Sequence, residues 1–281
     1  MAAISRRLLS KTLLLMLLAL LAFLFLLPIA WWINFAAKGN ASLTIGHTLR
    51  EIWIPNQFLF IDNLRKAFAL YPMAKFFLNS LIVSSIATAF ELMISSIAGF
   101  SFAKYKFVGR RIIFSAILAL LMIPQIVLVI PLFEVVVSLN MVNTYRALVL
   151  PFLVSPFGIF MMRQFCSSIP NDYIEAARVE GVGEFRLFLT IILPFLKSAF
   201  ALLGIFTFLR QWDTLLWPLI TLSKQVMYTL AVGVSLLQTN VQVPYNALYA
   251  VTLLFSIPVL VVYLLFQKLI IESLTMSGIK G

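Results

Sequence analysis

PNDYIEAARVEGVGEFRLFLTIILP, residues 170–194, is the stretch on which the reading of this chain turns. It carries four of the chain's ten carboxylates, Asp172, Glu175, Glu180 and Glu184, and long apolar runs flank it on both sides. Pro170 suits the first turn of a helix. Asp172 with Glu175 three residues on fits a capping box if the helix starts slightly later. Tyr173 to Glu180 is helix-prone, and Gly181 is its expected stop. A second short helix is expected from Val182 to Ile192, ended by Pro194, where the apolar sequence resumes. Ala176 and Ala177 leave one side of the first helix almost without bulk, so another protein's surface can approach its backbone closely. The plainer reading is a solvated connector.

Around that stretch the chain is greasy. Of 281 residues, 62% are hydrophobic and only 11% charged, with a mean hydropathy of +1.05. Soluble domains sit near 45–50% apolar and about 25% charged. The composition is that of an all-α, polytopic membrane protein. A net charge of +11 therefore points to cytoplasmic loops and anionic lipid surfaces, not to nucleic acid. The single cysteine, Cys166, has no partner for a disulfide and reads as inert. His47 is the only histidine, and a metal site needs several ligands, so no metal is expected.

A spanning helix needs about 20 mainly apolar residues. Six segments qualify: Thr12–Trp32, Phe77–Ala103, Ile112–Val136, Ala147–Phe165, Ser198–Ile220 and Ala247–Leu269. The first is too long for a signal-peptide core, which runs about 7–15 residues. Prolines 124, 131, 151, 156, 218 and 258 fall inside or at the ends of these segments; such breaks often sit where helices bend around a cavity. Placing the N-terminus in the cytoplasm puts 13 of the 21 basic residues inside, the short cluster Lys104, Lys106, Arg110, Arg111 weighing most. Both termini are then cytoplasmic, and residues 167–197 form a cytoplasmic loop between the fourth and fifth helices. Ile33–Phe76 is extracytoplasmic, with Ile54-Pro55-Asn56 as a turn and Trp53, Phe58 and Phe60 at the interface. The chain divides into 1–76, a first helix with an extracytoplasmic segment, and 77–281, a transmembrane core.

Glu-Ala-Ala at 175–177, Gly181, then Ile191, Leu193 and Pro194 resemble the signature loop of inner-membrane permease subunits of ABC importers, with Glu180 where that family usually has Asp. Asn79-Ser80-Leu81, Met162-Arg163-Gln164-Phe165, Trp217-Pro218-Leu219-Ile220 and the tail from Leu274 to Gly281 are similar to the carbohydrate-uptake, maltose-transporter-like branch. Trp212-Asp213 departs from it, since Trp-Asn-Asp or Trp-Asn-Glu is commoner there. The resemblance covers about residues 75–281 and implies a bacterial or archaeal cytoplasmic membrane. It implies a pathway shared with a second, homologous permease, two cytoplasmic ATPase subunits and an extracytoplasmic solute-binding protein. Asp172, Glu175, Ala176, Ala177, Glu180, Gly181, Ile191, Leu193 and Pro194 then form the ATPase-coupling element. The chain has no Gly-x-x-x-x-Gly-Lys-[Ser/Thr] loop, so ATP and magnesium belong to the partner ATPase. No cofactor and no catalytic residue are expected in this chain.

Glu91, Glu134, Arg210 and Asp213 lie in or near predicted spans, where each costs at least about 2.5–3.5 kcal/mol unless paired or wetted. Arg210 and Asp213, three apart, share a helix face and can pair. Trp212 and Trp217 either stack on a sugar ring or anchor the membrane interface. Glu91 reads as cavity-facing or in an inter-subunit pair rather than as a proton carrier. Glu91, Arg210, Trp212, Asp213 and Trp217 are thus the candidate substrate path. Two other readings stay open: a stand-alone secondary transporter with Glu91 and Asp213 coupling an ion, and a membrane-embedded enzyme, for which no catalytic cluster is evident.

Overall fold

The computed structural model describes residues 2–39, 54, 55 and 57–278, with side chains for 11–39, 54, 55 and 57–269. The expectations placed on His47, Trp53, Asn56 and the last residues of the tail lie outside the described residues. The described elements are helical. They run α1 (Ala2–Ala37), α2 (Phe60–Leu70), α3 (Met73–Lys104), α4 (Arg110–Leu120), α5 (Val129–Ser138), α6 (Tyr145–Val149), α7 (Pro156–Ser168), α8 (Asn171–Val179), α9 (Glu184–Leu187), α10 (Leu193–Phe195), α11 (Lys197–Asp213), α12 (Leu216–Thr221), α13 (Leu230–Thr239) and α14 (Tyr245–Gly278).

Three segments are long and apolar enough to cross a membrane unbroken: Lys11–Ala37, Met73–Lys104 and Tyr245–Leu269. Three more cross only as bent pairs: Arg110–Leu120 with Gln125–Ser138 at 94°, Tyr145–Phe152 with Pro156–Ser168 at 46°, and Glu184–Phe195 with Lys197–Asp213 at 80°. Six spans result if each bent pair counts as one. The expected spans at 112–136 and 147–165 are thus bent where the sequence sets prolines, and the bent pair Glu184–Phe195 with Lys197–Asp213 stands in place of the span expected at 198–220. Pro124 and Pro156 each stand at a break, where the missing N–H and the ring stop the helical ladder. The third expected helix ends at Asp213, with Thr214 extended before α12.

Pro194 stands one residue before the end of the helix Glu184–Phe195, which contains a π turn at Phe188–Ile192 and bends by 80° into α11. α13 was hidden because its apolar run, Leu230–Thr239, is too short to span and ends among polar residues.

The chain forms two compact units, Met1–Pro72 with Val234–Ile257, and Met73–Gly233 with Pro258–Gly281. The first unit thus takes in 234–257, which the sequence division at residue 76 leaves with the rest. Within it, the buried Asn63 amide donates to the carbonyls of Ala36 (2.9 Å) and Lys38 (2.8 Å). Asn246 donates to Lys38 O (2.7 Å) and to Asn63 Oδ1 (2.9 Å). These two side chains satisfy carbonyls that the end of α1 leaves without a helical partner.

The second unit is built on α3, which packs along α7 and α11. Small residues allow the approach. A Cβ on Gly99 would stand 2.6 Å from Met162 Cβ and 2.7 Å from the Arg163 backbone nitrogen. One on Gly158 would stand 2.4 Å from Ser95 Oγ. Such crossings are how membrane helices gain packing without a hydrophobic drive. Asn79 fastens the other end of α3. Its amide donates to Val226 O and Tyr228 O, both at 2.9 Å, and its oxygen accepts from the Tyr145 hydroxyl at 2.7 Å. The neighbouring Ser80 Oγ accepts the Leu230 N–H at 2.8 Å.

Gly99→Ala is expected to destabilise the detergent-solubilised protein by about 1–3 kcal/mol through backbone displacement. Gly204→Ala, whose Cβ meets only Leu92 Cδ1 at 3.4 Å, should leave the melting temperature nearly unchanged; equal losses would contradict the close α3–α7 approach.

Candidate functional site

Two places in the second unit bring chemistry-bearing residues together. The first is the 167–197 connection. α8 begins at Asn171 with Pro170 as its N-cap and no side-chain cap, so the Asp172–Glu175 capping box does not form: the helix starts before Asp172, not after it. Its end is built as expected. Gly181, at φ +76°, donates to Arg178 O and Val182 donates to Ala177 O, each at 3.0 Å. This pair of bonds closes the helix with glycine in the left-handed position.

α8 buries one narrow face. Ile174 and Ala177 are buried in a cluster with Phe100 of α3, Cys166 of α7, Leu187 of α9 and Leu196, Ala199 and Leu203 at the start of α11. Asp172, Glu175, Ala176 and Glu180 stay exposed, as does Val179 at 89%. Of the remaining expected residues, Ile191 and Leu193 pack on the same cluster and Pro194 is exposed. Cys166 is fully buried there.

The connection is braced by residues to which the sequence reading gave no such role. Lys104 Nζ donates to Ile169 O at 2.5 Å and to Asn171 Oδ1 at 2.9 Å. Arg178 grips Glu184 across the Gly181 turn at 2.8 and 3.3 Å. The Tyr105 hydroxyl donates to the same carboxylate, and the Arg178 guanidinium lies 5.5 Å from the Tyr105 ring centre. Burial, and then the bond to Glu184, pushes the Tyr105 phenol above its ordinary pKa, so it remains a donor at neutral pH. Exposed pairs of this kind add under about 1 kcal/mol each; their effect is placement. Opposite charges six residues apart around a turn glycine were the available signal.

The second place surrounds Arg210 on α11. Arg210 Nη2 meets Glu91 Oε2 of α3 at 2.5 Å, and the Glu91 side chain is only 1% exposed. The pair is therefore Arg210–Glu91, not Arg210–Asp213. Asp213 is exposed and shares no ion pair with Arg210. The Glu91 site lies deeper, where desolvation makes an unpaired carboxylate far costlier. Ser155 accepts the Gly158 N–H at 3.1 Å, and the hydroxyls of Ser155 and Thr207 face Glu91.

Two cavities of about 190 and 460 Å³ share Gln125, Leu132, Phe152 and Arg210 in their walls. Gln211, Thr214 and Trp217 line the smaller, and Ser155 the larger. The breaks after α4, before α7 and after α11 thus all open onto Arg210. Trp217 lines the smaller cavity while its Nε1 donates to Ala147 O at 2.8 Å. Trp212 is fully buried, stacked on Phe208 (5.6 Å, 17°) and edge-on to Phe77. It is committed to the core and offers no face to a sugar. Glu134 is exposed on α5 and apart from this group. With Glu91 held by Arg210, the ion-coupled carrier reading loses one of its two proposed coupling groups.

Fold and site together define a helical membrane permease with broken spans around two cavities that share Arg210, and a braced helical connection. Comparison with known proteins agrees. Residues 91–275 match the family described as binding-protein-dependent transport system inner membrane component. The arabinooligosaccharides transport system permease protein AraQ of Bacillus subtilis (strain 168) is 38% identical over 207 residues, 74% of each chain. The lactose transport system permease protein LacG of Rhizobium radiobacter is 29% identical over 257 residues, 92% of each. The sn-glycerol-3-phosphate transport system permease protein UgpE of Yersinia pestis bv. Antiqua (strain Antiqua) is 32% identical over 208 residues, 73% of this chain and 74% of that one. A solved bacterial ABC transporter involved in the import of the acidic polysaccharide alginate shares the fold with a TM-score of 0.80 at 19% identity, over 92% of this chain and 96% of that one. The chain belongs to the family of inner-membrane components of binding-protein-dependent transport systems, and is a permease subunit of an ABC importer.

Arg210→Met should cost about 3–5 kcal/mol by stranding Glu91. The double variant Glu91→Gln with Arg210→Met should recover most of that loss, read as the melting temperature in detergent. Additive losses would show that the two groups do not depend on each other.

Proposed function

We propose that this subunit forms half of the translocation pathway for a sugar or related polyhydroxylated solute, and that α8 seats on a separate cytoplasmic ATPase. The observation that carries the second part is the split surface of α8. Ile174 and Ala177 are anchored in a cluster that includes the start of α11, so Ala177 does not add to the bare side expected of it, while Glu175, Ala176, Val179 and Glu180 are left exposed. In this reading 167–197 and both termini are cytoplasmic, and ATP and magnesium are bound by the ATPase partner. A second homologous permease and an extracytoplasmic binding protein complete the assembly.

The cargo class is supported by the few polar side chains set around Arg210 in mainly apolar cavity walls. Gln125, Gln211, Ser155 and Thr214 offer donors and acceptors, and Trp217 an aromatic edge. Such a set suits hydroxyl-rich solutes, as the arabinooligosaccharide and lactose systems named above take. The chain's own part is to supply a route and convert movement of α8 into movement of α11.

Glu175→Lys, on an exposed side chain, should abolish ATP-driven uptake by the reconstituted complex while membrane insertion and melting temperature stay unchanged. Gly181→Val forces a β-branched residue to φ +76° and should do the same with a stability cost of about 1–2 kcal/mol. Undiminished uptake and ATPase co-purification in Glu175→Lys would count against α8 as the docking element.

A further inference from the structure

The turn between α3 and α4 gathers cations, and the Glu184 carboxylate that reaches Tyr105 is already paired with Arg178. Lys104, Lys106, Arg110 and Arg111 lie within eight residues, and no Asp or Glu intervenes. Lys104 is spent on Ile169 O and Asn171. Arg110 gives one N–H to Tyr105 O at 2.8 Å, which closes the turn, and Gly109 at φ +79° starts α4 without a side-chain cap. Lys106 and Arg111 are exposed and belong to none of the ion pairs among the described residues. These two cations, with Phe107, Gly109, Arg110 and Ile112, line a shallow depression of about 550 Å³.

The apolar neighbours face outward. Val108 is 98% exposed, Ile112 77% and Phe107 41%. Bare apolar side chains interleaved with uncompensated cations, at the end of a membrane span, fit the headgroup boundary of a bilayer. There a phosphate meets the cations and acyl chains cover Val108 and Ile112. The uncapped first turn of α4 adds backbone N–H donors to the same side.

We infer that this depression binds the headgroup of an anionic phospholipid, held by Lys106, Arg110 and Arg111. The bound lipid abuts the Lys104–Tyr105 corner that braces α8 and α9. The site itself depends only on α3 and α4 ending at a membrane surface, and not on what the subunit transports.

The test uses the full-length protein in nanodiscs of phosphatidylcholine containing a minority of phosphatidylglycerol, with retained lipid read by native mass spectrometry. A surface cation is worth about five-fold in affinity for anionic lipid. Lys106→Gln alone should therefore weaken phosphatidylglycerol retention about five-fold, and Lys106→Gln with Arg111→Gln about thirty-fold. The charge-keeping pair Lys106→Arg with Arg111→Lys should retain it. Phosphatidylcholine retention, and the melting temperature in pure phosphatidylcholine, should not change. Equal phosphatidylglycerol retention by the wild type and the double Gln variant overturns the inference. So does a variant that keeps phosphatidylglycerol but loses the co-purifying ATPase, since the depression would then be a protein contact.

Discussion

A peptide group in hydrocarbon has no water to bond to, and this constraint organises the whole second unit. Each break in a span leaves carbonyls and N–H groups without helical partners, at several kcal/mol apiece if nothing replaces them. The breaks after α4, before α7 and after α11 border the two cavities that share Arg210, and the 80° bend at Leu196 packs into the α8 cluster. Thr214 returns its hydroxyl to Arg210 O at 2.5 Å, and Ser155 caps α7. The Arg210–Glu91 pair answers the same constraint: a carboxylate this deep persists because a guanidinium meets it.

α11 links the two places where function is concentrated. Its first turns, at Leu196, Ala199 and Leu203, share a packed cluster with Ile174 and Ala177 of α8. Arg210 follows Leu203 by seven residues, about two turns or 10 Å along the axis. A displacement of α8 is thus one rigid helix away from the residue that lines both cavities. The contacts of Lys104, Arg178 and Tyr105 tie α8 to the end of α3 and to α9, so under the proposed function a partner on its exposed surface would load the cluster.

Much of this was legible in the residues. The six apolar segments overlap the three unbroken helices and three bent pairs, and Gly181 predicted the helix end because a left-handed closure requires it. What sequence could not supply was pairing over distance. Arg210 and Asp213 share a helix face, yet the partner of Arg210 lies 119 positions away on α3, where burial outweighs proximity. Trp212 and Trp217 looked alike, but tertiary packing put one in the core and the other at a cavity wall. The π turn at Phe188–Ile192 before Pro194 has no local signature in the sequence.

The central claim is that the exposed surface of α8 receives a separate ATPase. The most direct measurement places a photo-crosslinking residue at Ala176 in the assembled complex in membranes and identifies the captured chain with and without ATP. The account predicts capture of the ATPase subunit, in a yield that changes with nucleotide. Capture of lipid or solvent alone, together with ATP-independent transport by this chain in vesicles, would contradict it.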